Sequence, residues 1–510
     1  MTLAREFRLR GIGGASAGAI AAVIAAAAEF RRQNDQLAAI DGLLRSPIDD
    51  LTTPGFMTSL LIPARRGRPA LRVLLALLKQ GRPPWRRAVA ALRHVIVSRW
   101  WWSVALVALA CATTWLVMRS DDAPVAMTVS LLALVWLVAL VLAVLVPVLL
   151  VARATRRVLS APDHGFGLCS GRSDDSLALT DWLHHTIQEV ADLPHSRPLT
   201  FADLQSRGID LVMIATDVGR AEPVRLPSSD YWYDPKELER LLPAAVIERL
   251  CSRRSGSGAG ELQQLPVNEL PVLVAVRMSM SLPLLLEAVP LYRVGADGRP
   301  SRKRRTWLLD GGVTSNFPIH FFDEWLPRRP TFGLDLRPFP AGHEGDPPER
   351  VKLPGPDELP SRWTPIDGLV PLLQQIVDAA QNWRDTAQAD LPGFRDRVCQ
   401  IRLGPGEGGL HLDMDSDTLN TLVAAGKEAG RQLVDRFSDD GFRVHRRARY
   451  ATLLGALKDR LEVLADPWGG LRYEFGRWLA HSFATAARSE DEPAPEPERD
   501  QLVMRIVPRV

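Results

Sequence analysis

A serine near the amino terminus lies in a sequence pattern that suits ester hydrolysis. Gly14, Ala15, Ser16, Ala17 and Gly18 fit G-x-S-x-G, in which small neighbours let a strained strand-to-helix turn present the serine hydroxyl. A strand-like segment precedes the pattern and an alanine-rich helical segment follows it, as such a turn requires. At the start of a helix, the free amides and the helix dipole favour negative charge on a reacting oxygen.

Asp310 is the partner that the sequence offers for Ser16. A hydroxyl needs a base to take its proton, and Asp310 follows the apolar run Trp307–Leu309 and precedes Gly311 and Gly312. A carboxylate at the end of a buried strand is well placed to meet a serine at the end of a neighbouring strand. Two alternatives stay open: a turn aspartate that caps the backbone, and a Ser-His-Asp site. The histidines that come late enough for that order are His320, His343 and His411.

Two motifs taken together resemble the patatin-like phospholipases. GGASAGAI around Ser16 and DGGVTSNFPI from Asp310 onward are similar to that family's serine and aspartate elements, and LTFADL, IDLVMIATDV and AVRMSMSLPLLLEAVPLY look like its core. The resemblance covers residues 1 to about 60 and about 160 to 340. It implies a Ser-Asp dyad in which Ser16 attacks an ester carbonyl and Asp310 takes its proton. It also implies phospholipid or another acyl lipid as substrate, with no metal and no cofactor.

One element of that family is not found in these 510 residues. Family members carry a glycine-rich loop before the serine whose amides help to form the oxyanion hole, whereas fifteen residues precede Ser16 here. The backbone amide of Ala17 is then the candidate oxyanion donor. We expect the coding sequence to begin further upstream. The alternative is a catalytically impaired membrane protein that uses the fold to bind lipid.

Two uncharged apolar segments, Trp100–Met118 and Val125–Val151, are each long enough to cross a bilayer. The first 160 residues contain 20 Arg and Lys against 8 Asp and Glu, a net charge of +12 that leaves −9 for the rest of a chain whose total is +3. Basic residues beside apolar spans favour an anionic membrane surface over a nucleic acid. The basic amphipathic stretch at 60–98 should lie at the lipid headgroups.

The topology of these spans follows from where their arginines lie. Arginines flank the outer ends of both spans, so the positive-inside rule places those ends, and with them the catalytic domain, in the cytoplasm. We therefore predict a membrane protein with two spans. A helical hairpin buried in a soluble domain is the alternative.

The rest of the pattern predicts a layered α/β protein: a three-layer α/β/α domain, interrupted by the transmembrane hairpin and followed by a helical part. The continuous apolar runs are typical of buried strands in a parallel sheet. Predicted strands are Arg5–Ile12, Ile209–Ala215, Val272–Val276, Thr306–Gly312 and Thr331–Arg337, and predicted late helices are Val370–Ala389, Ser416–Phe437 and Arg447–Ala465. The predicted parts are 1–60 with the serine motif, 61–160 with the basic segment and the spans, 161–340 with the Asp-Gly-Gly motif, 341–488, and a disordered acidic tail at 489–510.

Overall fold

The computed structural model describes residues 2–34, 40–63, 67–78, 84–119, 125–160, 165–252, 262–295, 298–339, 349–355, 394–465 and 508–509, except 316, 318, 323, 325, 405, 409, 410 and 439. It also describes a few positions between 366 and 379. The helices are α1 Thr2–Glu6, α2 Ala17–Asn34, α3 Ile40–Leu43, α4 Arg45–Thr52, α5 Phe56–Ser59, α6 Arg68–Leu78, α7 Pro84–Ser98, α8 Trp100–Met118, α9 Val125–Leu159, α10 Leu179–Ala191, α11 Phe201–Ser206, α12 Pro235–Leu238, α13 Ala244–Cys251, α14 Val272–Ser279, α15 Ser416–Phe437 and α16 Gly441–Ala465. The strands are β1 Gly11–Ala15, β2 Gly167–Cys169, β3 Asp210–Asp217, β4 Glu222–Leu226, β5 Trp232–Tyr233, β6 Gln263–Gln264, β7 Leu284–Leu286, β8 Val289–Val294, β9 Pro300–Asp310, β10 Gly333–Pro338, β11 Val351–Lys352, β12 Val398–Leu403 and β13 Pro508–Arg509.

The chain is a mixed α/β protein, and the described residues form a main sheet of seven strands. Their order is β1-β3-β9-β8-β5-β6, with β4 also paired to β3. Among the described strands of this sheet, β1 and β3 form the single parallel pair, and the other pairs are antiparallel. The expected parallel sheet is therefore wrong for most of this sheet. A central strand is buried whether its neighbours run parallel or antiparallel to it. An apolar run alone therefore does not distinguish a parallel from an antiparallel sheet.

The run Val272–Val276, predicted as a strand, lies in α14. Every residue of this helix is buried, so its sequence has no polar face and lacks the helical periodicity that a half-exposed helix shows. The strand predicted at Arg5–Ile12 is also wrong in extent, because α1 covers its first residues and β1 begins at Gly11. The strands predicted at Ile209–Ala215, Thr306–Gly312 and Thr331–Arg337 are confirmed as β3, the end of β9, and β10.

The carboxyl-terminal part combines a second sheet with two long helices. This sheet has the order β11-β12-β10-β13, and α15 packs against β12. The helix predicted at Ser416–Phe437 is confirmed, and the next one begins earlier than predicted, at Gly441. The predicted helix at Val370–Ala389 lies mostly outside the described residues, as does most of the predicted tail. The division into five parts stays a prediction.

Helices α8 and α9 are long and apolar enough to cross a membrane. The most apolar 18-residue windows of the spans Trp100–Val117 and Val129–Leu159 have mean hydropathies of 1.5 and 3.2, and 6% and 17% of the residues in those windows are buried within the protein. Such low burial does not fit a hairpin enclosed in a soluble domain. The two helices pack on each other through polar as well as apolar contacts. Ser103 Oγ donates to the Ala143 carbonyl at 2.8 Å, and Trp136 Nε1 donates to Thr114 Oγ1 at 3.0 Å.

Candidate active site

Strands β1 and β9 lie end to end along one edge of β3. β4 pairs with the later residues of β3 along one edge. β1 and β9 therefore both pair along the opposite edge of β3, one after the other. The last residue of β1, Ala15, is opposite Ile214, and the last residue of β9, Asp310, is opposite Ala215. Because the chain leaves both strands at this junction, the fold brings Ser16 and Asp310 together.

Ser16 occupies the sharp turn between β1 and α2. Its φ of +56° lies in the left-handed region, which costs a residue with a side chain about 1–2 kcal/mol. The Ser16 amide donates to the carbonyl of Ser279 at 3.2 Å and to its hydroxyl at 3.3 Å, and the Ser16 carbonyl accepts from the Ala19 amide at 2.9 Å. The predicted order of strand, turn and helix around Ser16 is confirmed, with Ala17 as the first residue of α2.

The first glycine of the serine motif allows the turn to close. A Cβ atom on Gly14 would lie 2.2 Å from the carbonyl oxygen of Gly18 and 2.3 Å from its carbonyl carbon. Both atoms belong to the backbone, so no side-chain rotation could relieve the clash. Gly14 is therefore a packing requirement of this turn as well as part of a chemical signature.

Gly14→Ala should lower the free energy of unfolding by about 2–4 kcal/mol, because the new methyl group would have to force apart two segments of backbone. Gly426→Ala is the matched control, since a Cβ there meets no atom within 4 Å. In the interior of α15 that change should raise stability by about 0.5–1 kcal/mol. Thermal unfolding of both variants in detergent measures the difference. Equal stability of Gly14→Ala and the unsubstituted protein would contradict the geometry of this turn.

Asp310 is held by hydrogen bonds to its backbone and to one carboxylate oxygen. Its amide donates to the Ser281 carbonyl at 2.9 Å, and its carbonyl accepts from Thr216 Oγ1 at 2.9 Å. Oδ1 accepts from the Gly312 amide at 2.7 Å, so Asp310 does cap the following turn. A Cβ on Gly311 would lie 2.3 Å from a β3 carbonyl oxygen, which explains the glycine directly after the aspartate.

The second carboxylate oxygen of Asp310 stays available for chemistry. Oδ2 is buried and makes no hydrogen bond of standard geometry to the described residues. Burial raises the pKa of Asp310 to about 6, while the nearby Ser16 hydroxyl and the Gly312 amide oppose that rise by stabilising the carboxylate. At pH 7 the group is still mostly ionised, and it is a stronger base than an exposed aspartate. The arrangement can accept a proton from Ser16.

Both members of the pair are enclosed. Ser16 is 6% exposed and Asp310 2% exposed. An open cleft of about 370 Å³ lies beside Arg10 and Asp210, at the opposite end of β1 and β3 from the serine. That cleft is too far along the strands to serve the Ser16 hydroxyl.

Of the three histidines of the alternative Ser-His-Asp site, His411 is the one whose side chain the structure describes, and it does not join this pair. His320 lies in a short 3₁₀ turn at Ile319–Phe322, and His343 is outside the described residues. His411 lies in a loop beyond β12, where burial lowers its pKa. Within the described part of the chain, no hydrogen bond connects a histidine to Ser16 or Asp310. The described residues also contain no group of three His, Cys, Asp or Glu side chains that could hold a metal ion.

Sequence reasoning missed the residues that support the pair. Ser279 is the last residue of α14, Ser281 follows two residues later, and Arg277 lies in the last turn of the helix. The stretch AVRMSMSLP contributed to the family resemblance, but no role was assigned to its polar residues. The available signal was an arginine and two serines, spaced two apart, inside an otherwise apolar run.

The fold and this site define a mixed α/β protein with two helices that could cross a membrane, and with a buried serine and aspartate at the meeting point of two strands. No known family model matches the chain. It is 32% identical over 543 aligned residues to the RpoH suppressor of Rhizobium meliloti (strain 1021), an alignment that covers 90% of the chain and 82% of the relative. The chain belongs to the same family as that protein. The relative's name states no chemical reaction.

Proposed function

We propose that the chain is a membrane-anchored serine acyl hydrolase with a patatin-like fold, which cleaves ester bonds of phospholipids or related acyl lipids. The observation that carries the proposal is the junction of β1 and β9. There a serine in a left-handed turn at a helix start lies beside a buried aspartate that has one oxygen without a standard hydrogen bond. This combination suits a nucleophile and its base.

The proposed reaction has two steps on one carboxylate. Ser16 Oγ attacks the ester carbonyl as Asp310 Oδ2 takes the hydroxyl proton, and that proton passes to the departing alcohol to leave an acyl-serine. Asp310 then takes a proton from water, whose oxygen attacks the acyl carbonyl, and that proton passes to Ser16 Oγ as its bond to the acyl group breaks, which releases the fatty acid and restores the serine and the carboxylate. The Ala17 amide, at the start of α2, is the candidate donor to the developing oxyanion.

The hairpin and the helices before it would keep this site close to lipid. In α6 and α7 the exposed residues include arginines and large apolar side chains: Arg68, Arg72, Leu77, Arg86, Val89, Leu92, Arg93 and Val97. Such a mixture suits the headgroup region of an anionic membrane. The arginines at the outer ends of both spans favour a cytoplasmic site, so the substrate would come from the adjacent leaflet.

Two alternatives lead to different results in the same assay. A Ser-His-Asp carboxylesterase would need a histidine side chain hydrogen-bonded to Ser16 or Asp310. The contacts of the described residues favour the dyad instead. A catalytically impaired, lipid-binding member of the same fold would bind vesicles without releasing fatty acid. Fatty-acid release by the full chain therefore separates the hydrolase from the lipid-binding protein.

The full chain in phospholipid nanodiscs should release fatty acid with a kcat/KM that depends on pH through Asp310. Because the base acts in its ionised form and burial raises its pKa to about 6, kcat/KM should rise about tenfold per pH unit below 6 and level off above about 7. His411→Ala should show the same profile. Absence of fatty-acid release would reject the proposed function, and a rate that falls between pH 5 and 7 would reject Asp310 as its base.

A further inference from the structure

The last residue of α14 and the turn that follows it hold both members of the pair. The carbonyl of Ser279 accepts from the Ser16 amide at 3.2 Å, and the carbonyl of Ser281 accepts from the Asp310 amide at 2.9 Å. We call residues Ser279–Ser281 the α14 bracket. Since the two acceptors are two residues apart in the chain, the separation of the serine from the aspartate depends on how firmly this bracket is fixed.

The bracket is also attached to β3. Ser279 Oγ donates to the Ile214 carbonyl at 2.5 Å, and Ile214 is the residue opposite the end of β1. The nucleophile turn is therefore held from the strand beside it and from α14. Ser281, the residue of the bracket that binds the Asp310 amide, is held by different contacts.

Arg277 supplies that attachment from inside the protein. Its Nη1 donates to Ser281 Oγ at 2.5 Å, and its Nη2 donates to the carbonyls of Ser170 at 3.0 Å and Glu287 at 2.8 Å. Ser281 Oγ in turn donates to the Arg277 carbonyl at 2.7 Å. One guanidinium thus ties the bracket to the segment after β2 and to the segment between β7 and β8.

A buried arginine in this position is costly. Arg277 is 1% exposed, and its Nε makes no hydrogen bond to the described residues. Burial lowers the pKa of Arg277 to about 10, with Glu287 opposing the change, so the side chain is charged at pH 7. An apolar side chain of similar volume often fills such a site at equal or lower cost. What an apolar residue could not provide is the set of directed bonds to three segments.

We propose that Arg277 is a positioning residue, which fixes the separation of Ser16 and Asp310 by holding the α14 bracket against Ser170 and Glu287. Its effect on catalysis rests on the proposed function. Its effect on the bracket does not, because the hydrogen bonds exist whether or not the site is active.

Hydrogen exchange of the full chain in nanodiscs tests the bracket directly. Arg277→Lys keeps the charge but loses the fork of donors, and Ser281→Ala removes one acceptor of the guanidinium while keeping the bracket carbonyl. In both variants, amides in peptides that contain Ser16 and Asp310 should exchange at least about fivefold faster. Arg397→Lys is the matched control, because Arg397 is equally buried but lies beside β12, stacked on Phe394 at 4.6 Å. Arg397→Lys should leave the exchange rates of the amides in these peptides unchanged.

Turnover then shows whether the separation matters for chemistry. In Arg277→Lys, kcat should fall about 10- to 100-fold, since a displacement near 1 Å can cost that much, while KM stays within about twofold. The double variant with Ser281→Ala should lose less than the product of the two single effects. Unchanged exchange at both peptides, or a loss matched by Arg397→Lys, would overturn the proposal. If the unsubstituted chain is inactive, the proposed function fails, and the exchange comparison still decides the bracket.

Discussion

Ser16→Ala should lower fatty-acid release at least about 1,000-fold, because removal of a nucleophilic serine leaves little beyond the binding of substrate. The protein should stay folded, since the alanine keeps the backbone bonds of the turn and deletes a single oxygen. A fluorophosphonate, which forms a covalent bond with an activated serine, should label the unsubstituted chain at Ser16 and leave the variant unlabelled. Mass spectrometry of the labelled peptide gives the position.

The control for this experiment is another serine of the same chain. Ser438 is exposed at the end of α15, where its hydroxyl donates to the Asp435 carbonyl, and Ser438→Ala should keep both activity and labelling. Label on a serine other than Ser16, or activity that survives Ser16→Ala, would mean that the nucleophile lies elsewhere. Substitution of His320, His343 or His411 with alanine should change neither readout, and loss of labelling in one of them would restore the Ser-His-Asp alternative.

Asp310→Asn should have two opposite effects at neutral pH. Hydrolysis should fall about 100- to 10,000-fold, since an amide cannot take the proton of Ser16. Stability should rise, because Asp310 has a folded-state pKa of about 6 against an ordinary value of 3.8. Because the carboxyl pKa is raised in the folded state, ionisation of Asp310 opposes folding. A rise of about two pKa units lowers the free energy of unfolding by about 3 kcal/mol at most. A gain of about 1–3 kcal/mol is expected above pH 7.

The pH dependence separates this gain from a general effect of the substitution. Stability of the unsubstituted chain is lost through Asp310 as pH rises from 3.8 to about 6, so the advantage of Asp310→Asn should shrink on acidification and vanish below pH 3.8. Thermal unfolding at pH 8 and pH 5 measures it. Lower stability of the variant at pH 8 would show that ionised Asp310 is well solvated, and full activity would remove Asp310 from the mechanism.

The serine turn was predictable because its chemistry is local. Small residues on both sides of Ser16 and a helical run after it describe one short segment, and the close approach of Gly14 to Gly18 shows why the spacing is fixed. The aspartate was harder to place, since a strand end before two glycines also describes an ordinary turn. The structure shows that one oxygen of Asp310 does cap the turn while the other stays available.

The architecture around the pair could not be read from single segments. Burial on every side gave α14 the composition of a strand, and the central position of β3 concealed the direction of its neighbours. The roles of Ser279 and Ser281 depend in part on backbone carbonyls, which every residue carries and no sequence pattern reports. Arg277 was detectable only as a charge in an apolar run, without an indication of what it binds.

The end-to-end meeting of β1 and β9 also sets the time at which the site can form during synthesis. Ser16 is made before the hairpin and Asp310 after it, 294 residues later, which takes a ribosome roughly 15–60 s. Both apolar helices have left the ribosome before the aspartate exists. If the hairpin inserts as it emerges, the nascent chain reaches the bilayer before it can cut an ester, so any lipase activity begins at the membrane rather than in free solution.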